Sequence, residues 1–196
     1  MTEIPIYFNF GLDHHRNFIR IFEELKYFNN KEIKILHLGA YTGHGTKWML
    51  ERVNASCIDV DTWAGSLASE GHLDKHEEFY DSRIEKLYDE QTSGLATTKF
   101  KGTTFDFFKQ NKETFDFIYI DASHKKSDVA FDLLESFKVL NIGGVIACDD
   151  YLWNSDDPAI SRDLIPYEAI KEFVKYNREN IEILIDNYQL WFKKSV

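Results

Sequence analysis

Phe115-Asp-Phe-Ile-Tyr-Ile-Asp-Ala-Ser-His124 and Gly143-Gly-Val-Ile-Ala-Cys-Asp-Asp150 decide how this chain folds. Each is a short apolar run that stops abruptly at carboxylates. Runs of this length read as buried strands. In an open parallel sheet, ligands sit just beyond the carboxyl ends of the strands. Asp121, Asp149 and Asp150 are therefore expected to meet at one rim, with no Lys or Arg adjoining any of them. Neighbouring acids repel one another unless a cation intervenes, so the cluster points to an oxygen-liganded metal in a crevice. The competing reading is a solvated strand rim in which Asp150 only starts a turn.

On either side of these runs, apolar and amphipathic stretches alternate, the pattern of a parallel α/β sheet. Strands are expected over 34–38, 56–61, 97–101, 117–120 and 145–148. A first helix is expected from Asp13, its cap, to Phe28, with Phe18, Ile21, Phe22 and Leu25 on one face. Further helices are expected over 46–52, 74–90, 104–110, 127–140 and 167–176, the second of these with Phe79, Ile84, Leu87 and Tyr88 as its apolar side. Asn141-Ile-Gly-Gly144 reads as a glycine stop to the helix before it. Asp186-Asn187, between 181–185 and 188–193, reads as a tight hairpin turn. The expected fold class is α/β, a doubly wound and mostly parallel sheet of about seven strands with a C-terminal antiparallel hairpin.

The chain's 196 residues suit one domain over 1–196, with 1–30 as an N-terminal helical segment that would cap a substrate. No repeat, low-complexity tract or Pro/Gly-rich linker interrupts it. Aromatics make up 15% of the chain, so aromatic packing should dominate the core. A net charge of -10 without a basic stripe argues against nucleic acid and against anionic membrane surfaces as partners. Cys57 and Cys148 lie inside apolar runs and read as buried reduced thiols. The N-terminus lacks a basic region followed by an apolar core, and no apolar run approaches the roughly 20 residues of a membrane span. The expected compartment is the cytoplasm.

After the first strand comes Gly39-Ala-Tyr-Thr-Gly43-His-Gly45-Thr. Glycines here permit a tight turn and close approach by a ligand, and the helix that follows adds unpaired N–H donors. The spacing matches neither the dinucleotide fingerprint, whose later glycines would fall on Tyr41 and His44, nor the phosphate loop. G-x-x-x-G-x-G instead suits a nucleoside ligand with a bulky neighbour; the alternative is a turn that only packs helix on strand. The second strand ends Cys57-Ile-Asp59-Val-Asp61-Thr-Trp63. A carboxylate there can accept both ribose hydroxyl protons, and Asp61, at the very end, is the better placed. Asp61 as a turn cap and Trp63 as ordinary core are the alternatives.

Taken together, these segments resemble the class I S-adenosylmethionine-dependent methyltransferases. Within them the chain is similar to the small metal-dependent O-methyltransferases of sugar and antibiotic tailoring, the macrocin and cephalosporin-pathway type. The matching runs are 35–46, 58–65, 100–104, 115–124 and 140–153, with Asp61-Thr-Trp-Ala-Gly65, Ile120-Asp-Ala-Ser-His124 and Asp149-Asp-Tyr151 specific in combination. The resemblance implies a Rossmann-like fold with S-adenosylmethionine and Mg²⁺ or a similar divalent cation as cofactors. Gly39, Tyr41, Thr42 and Gly43 would line the methionine end of the donor. Asp61 would bind ribose beside Trp63, and Thr103 and Thr104 would lie by the adenine. Asp121 would serve both donor and metal, with Asp149 and Asp150 completing the metal ligands. Two positions depart from the family pattern: His37 stands where an acid is usual two residues before the first glycine, and Thr103 where an acid often follows Gly102.

Methyl transfer from a sulfonium is a direct displacement, so the protein must orient the two reactants and unmask a nucleophile. Asp121, with its metal, and His124 are the expected catalytic residues, His124 as general base because imidazoles exchange protons near neutral pH. The alternative for His124 is a capping or supporting role. The expected activity is metal-assisted transfer of a methyl group to a hydroxyl of a small molecule, with a sugar or glycan as the acceptor the resemblance implies. Two other readings stand beside it: a non-catalytic nucleoside-binding module, and a methyltransferase without a metal in which His124 acts alone. His14 and His15 are expected to be solvated, and Tyr151 and Trp153 would stack on an acceptor or cover the core. The aromatic segment Ile6-Tyr-Phe-Asn-Phe10 would pack over the pocket or across a homodimer. A zinc-protease helix fails at His76-Glu-Glu-Phe-Tyr80, which lacks the second histidine. No G-x-S-x-G supports a serine hydrolase, and Ala64 breaks a calcium loop begun at Asp59.

Overall fold

The computed structural model describes residues 14–29, 31–64, 82–153 and 156–196. The strands are β1 (Ile33–Leu38), β2 (Ala55–Asp61), β3 (Thr97–Lys101), β4 (Phe115–Ile120), β5 (Leu140–Cys148), β6 (Ile181–Asp186) and β7 (Leu190–Lys194). They form one seven-stranded sheet in the order β3-β2-β1-β4-β5-β7-β6. β1 to β5 pair in parallel. β7 returns antiparallel to β5, and β6 antiparallel to β7. This is the Rossmann-like sheet with a terminal hairpin that the residue pattern predicts. From β1 the chain builds outward to β3, then returns to place β4 on the other side of β1. The crevice opened by that reversal lies at the carboxyl ends of β1 and β4.

Both faces of the sheet are covered, which is why its strands read as near-continuous apolar runs. On one face α4 (Thr104–Gln110), α5 (Lys126–Val139) and α6 (Tyr167–Tyr176) bring Phe107, Val129, Leu133, Ile170 and Phe173 onto Leu36, Leu38, Ile118, Ile120 and Ile146. On the other, α1 (His14–Phe18) and α2 (His44–Leu50) bring Phe18, Trp48 and Met49 onto Ile35, Phe117, Tyr119 and Val145. Phe18 meets Tyr119 and Trp191 edge-on, with ring centroids 5.0 and 4.7 Å apart. α3 (Ser82–Thr92) supplies Ile84 and Tyr88 to a smaller cluster with Ala40 and Trp63. Cys57 and Cys148 are free and buried, as expected. No helix among the described residues is long and apolar enough to cross a membrane.

Three local expectations are corrected. The first helix does not run to Phe28: after Phe18 it widens into a π-helical turn, Ile19–Glu24, closed by Leu25 N–H donating to Arg20 O. Phe18, Ile21 and Phe22 stay buried through the wider turn, while Leu25 is carried outward to 59% exposure. The glycine stop at 141–144 is also absent: α5 ends at Val139, and Leu140 is already extended and paired with Phe115. Between the pairs Phe115↔Leu140 and Phe117↔Val145, β5 spends more residues than β4, and Gly143 (φ +79°) takes up this bulge. The hairpin turn holds Asn187, Tyr188 and Gln189 between Asp186 and Leu190, one residue longer than expected. Of the helix expected over 74–90, the described part is helical as Ser82–Thr92, and 74–81 lies outside the described residues. Phe79, Asp13 and the 6–10 segment lie outside the described residues.

Candidate active site

The loop after β1 is shaped by close packing. Gly39 adopts φ +89°, and a Cβ there would lie 1.9 Å from the Asp121 carbonyl oxygen. Only a glycine lets the β1 end lie against the β4 end this tightly. Gly43 (φ +78°) opens α2, and a Cβ on it would press on Thr92 and Tyr88. Tyr41, Trp63 and Asp150 also take left-handed conformations that side chains other than glycine rarely adopt. All three sit just past strand ends, and backbone strain of this kind clusters at functional sites.

Asp61 joins two of these strained turns. Its carboxylate accepts the Tyr41 and Trp63 backbone N–H groups, each at 2.7 Å. The Trp63 indole N–H donates to Tyr41 O at 2.8 Å, locking the two loops together. Burial raises the Asp61 carboxyl above its usual range, and the two backbone donors pull it back. Trp63 packs on Tyr88 at 4.8 Å between ring centroids. Thr42 is buried, its hydroxyl 3.0 Å from His44 Nδ1. Gly102 N–H donates to Asp61 O, which places the Thr103 turn beside the Asp61 end of the crevice. Thr103 caps α4 by bonding Asp106, and Thr104 begins that helix.

The acids after β4 and β5 gather around His124. Its Nε2 lies 2.6 Å from Asp150 Oδ2, and its ring lies 4.6 Å from the Trp153 ring. Tyr188 donates to Asp150 Oδ1 at 2.6 Å. Asp149 accepts from the Tyr119 hydroxyl at 2.5 Å and from the Gln189 amide at 2.9 Å. Burial, then the Asp149 and Asp150 charges, drive the Asp121 carboxyl well above its normal range. The same surroundings raise the Tyr119 and Tyr188 hydroxyls, which therefore remain donors at neutral pH. A pocket lined by Asp121, Ser123, His124, Asp149, Asp150 and Ile170 opens here. Tyr151 stacks on Tyr167 at 5.2 Å, outside that lining.

The donor chemistry fits a hard divalent cation: three carboxylates at adjoining β-ends, one of them opposed by the charge of the other two. The expected ready-made cage, however, is not met. Among the described residues no three His, Cys, Asp or Glu side chains are placed to hold one ion. The reason is visible in the bonds: Asp149 and Asp150 turn toward Tyr119, Gln189, Tyr188 and His124.

Two sets of residues were not legible as part of the site. Tyr119, Tyr188 and Gln189 hold the acids, yet each reads only as a strand or turn residue in the sequence. The second set surrounds Asp59, which is fully buried. Thr46 donates to Asp59 Oδ1 at 2.5 Å, Tyr88 to its Oδ2 at 2.8 Å, and His37 Nδ1 lies 3.0 Å from Thr46 Oγ1. His37 stacks on Tyr119 at 5.0 Å and is wholly enclosed. The departure at His37 is thus a core residue that ties β1 to β2 and α2.

Residues 36–151 match the family model described as a methyltransferase domain. No curated protein matches the chain by sequence. Among solved structures, a candidate O-methyltransferase from Klebsiella pneumoniae shares 14% identity over 94% of this chain and 81% of its own, with a TM-score of 0.66. An O-methyltransferase from Bacillus cereus in complex with S-adenosylhomocysteine shares 17% over 93% and 82%, at 0.59. The O-methyltransferase TomG from Streptomyces achromogenes, involved in tomaymycin synthesis and solved with S-adenosylmethionine, shares 12% over 83% and 73%, at 0.60. At these identities the likeness is one of fold.

Proposed function

This chain belongs to the methyltransferase-domain family, and from that premise we propose that it is an S-adenosylmethionine-dependent O-methyltransferase acting on a hydroxyl of a small molecule, a sugar or glycan by preference. One observation carries this reading: the glycine loop, Asp61 and the His124–Asp150 pair all stand at the carboxyl ends of neighbouring strands, with Gly39 packed against Asp121. The structural relatives solved with S-adenosylmethionine or S-adenosylhomocysteine support the same donor.

When bound, that donor supplies an electrophilic methyl group on a sulfonium. The 39–43 loop and the Asp61 carboxylate would hold it along the β1 and β2 ends, with Thr103 and Thr104 at its far side. Asp121 would stand between donor and acceptor. His124 would take the acceptor hydroxyl's proton, and Asp150, bonded to Nε2, would orient the imidazole and offset the charge it gains. Asp121, Asp149 and Asp150 would hold a divalent ion, which supplies Lewis acidity toward an oxygen nucleophile. The 2.6 Å contact between His124 and Asp150 favours a second reading, in which this pair deprotonates the acceptor without a metal.

Isothermal titration with S-adenosylmethionine, with and without Mg²⁺, tests the donor and metal sites together. Donor binding with Mg²⁺ uptake supports the full proposal. Donor binding without Mg²⁺ uptake supports the metal-free enzyme or a binding module, and methyl uptake by a panel of sugars and nucleotide sugars separates those two. No donor binding refutes the proposal.

A further inference from the structure

Gln189 is fully enclosed, and every polar atom of its side chain is engaged. Its Oε1 accepts from the Trp191 indole N–H at 3.0 Å and from Asn17 Nδ2 at 2.9 Å. An indole nitrogen only donates, so the amide oxygen must face Trp191 and the amide nitrogen must face the other way. That nitrogen meets Asp149 Oδ1 at 2.9 Å. The orientation of Asn17 is fixed by the same logic. The Gln189 backbone N–H, again only a donor, bonds Asn187 Oδ1 at 3.0 Å. Asn17 Nδ2 donates to that same oxygen at 3.0 Å, and Asn187 Nδ2 returns a bond to Asn17 Oδ1 at 3.0 Å. Two donor-only groups thus set the direction of a polar chain that runs from the N-terminal helix through the β6–β7 turn to an acid of the crevice.

We propose that Gln189 is a positioning residue for Asp149, and that Asn17 makes this positioning depend on the docked N-terminal helix. The inference rests on the reading of Asp149 as part of the active site. Gln189 touches no reactant; it acts through the carboxylate it holds. Asp149 is gripped from both sides, by Gln189 on Oδ1 and by Tyr119 on Oδ2. Oδ1 also accepts the Asp150 backbone N–H at 2.9 Å; loss of the amide removes the side-chain donor on that oxygen, and the carboxylate turns about the contacts that stay. The N-terminal helix therefore belongs to the supporting shell of the site, beyond any role as a cover over the substrate.

The test compares wild type with Gln189→Leu by crystal structure and by Mn²⁺ binding, followed by electron paramagnetic resonance. In Gln189→Leu the Asp149 side-chain torsion changes, and Mn²⁺ affinity falls about 10- to 100-fold, the usual loss when a ligand's outer partner is removed. The S-adenosylhomocysteine dissociation constant stays within about twofold of wild type, because Asp61 and the 39–43 loop do not touch Gln189; general unfolding would degrade both. Trp191→Phe keeps the ring packing, removes one of the two N–H donors that orient the amide, and carries the test if Gln189→Leu does not fold; Asn17→Leu removes the other. An Asp149 carboxylate unmoved in both variants overturns the inference. If wild type takes up no Mn²⁺, the metal assignment fails, and the Asp149 torsion alone decides the positioning role.

Discussion

Asp132 offers the sharpest quantitative test of this fold. It lies on α5 at 1% exposure, and among the described residues neither carboxylate oxygen has a close hydrogen-bond partner. Ser136, one turn further along α5, is equally enclosed and, among the described residues, without a hydrogen-bond partner. Burial pushes the Asp132 carboxyl up to about 7; the nearby Thr104 hydroxyl offsets this only in part, and Asp128 adds to it. An unfolded chain would lose this proton near 3.8. From about pH 4 to about pH 7 the folded state therefore holds a proton that the unfolded state has released, and stability falls as pH rises. The penalty is absent below that window and complete above it. A rise of about 3 units at 1.36 kcal/mol each amounts to ~4 kcal/mol, of which ~2–3 kcal/mol accrues between pH 5 and pH 8. Asp132→Asn keeps the shape and cannot ionise, so this component of its pH dependence disappears. Urea unfolding of both proteins at pH 5 and pH 8, followed by circular dichroism, measures the difference directly. The variant should gain on wild type by ~2–3 kcal/mol across that interval. Parallel pH curves for the two proteins would refute the reasoning.

Other outcomes follow from the site. Asp121→Ala should abolish metal-dependent turnover while largely sparing S-adenosylmethionine affinity, and Asp61→Ala should chiefly weaken that affinity, as read by titration calorimetry and methyl transfer; turnover intact in Asp121→Ala would rule out the metal-assisted mechanism. Gly39→Ala forces a Cβ into the Asp121 carbonyl from a left-handed backbone. It should cost more than ~3 kcal/mol or prevent folding, seen as loss of the cooperative thermal transition. His124→Asn should lower kcat about 100- to 10,000-fold with donor affinity unchanged. Loss of only a few-fold would assign His124 a supporting role. Cys57 and Cys148, both enclosed and both raised by burial, should resist thiol reagents until the chain is unfolded in denaturant.

Local pattern determined a good deal. The apolar runs ending in Asp61, Asp121 and Asp149 marked their strands, and the glycines at 39 and 43 marked the turn between β1 and α2. These are short-range signals, because a strand buried on both faces must be apolar throughout and a left-handed turn must favour glycine. The hairpin was legible in kind, though its turn is longer than Asp186-Asn187 implied. The π-helical turn after Phe18 and the bulge at Gly143 were not, because both answer to neighbours distant in sequence. Tyr27 reaches the Gly143 carbonyl, and Phe18 must meet Tyr119 and Trp191.

The sequence alone determined the class of sheet, the rim on which its acids stand and the residues that close its core, since each of these depends on side-chain type and spacing along one element. Only the tertiary structure decided what those acids touch. Gln189 reaches Asp149 across 40 residues, and Asn17 reaches Gln189 across 172. Such bonds form only when the hairpin closes against β5 and the N-terminal helix docks on the opposite face. The same closure turned His37 into a core residue, because its partners Asp59, Thr46 and Tyr119 arrive from β2, α2 and β4. Linear spacing holds no record of such partners; the geometry of the closed sheet selects them.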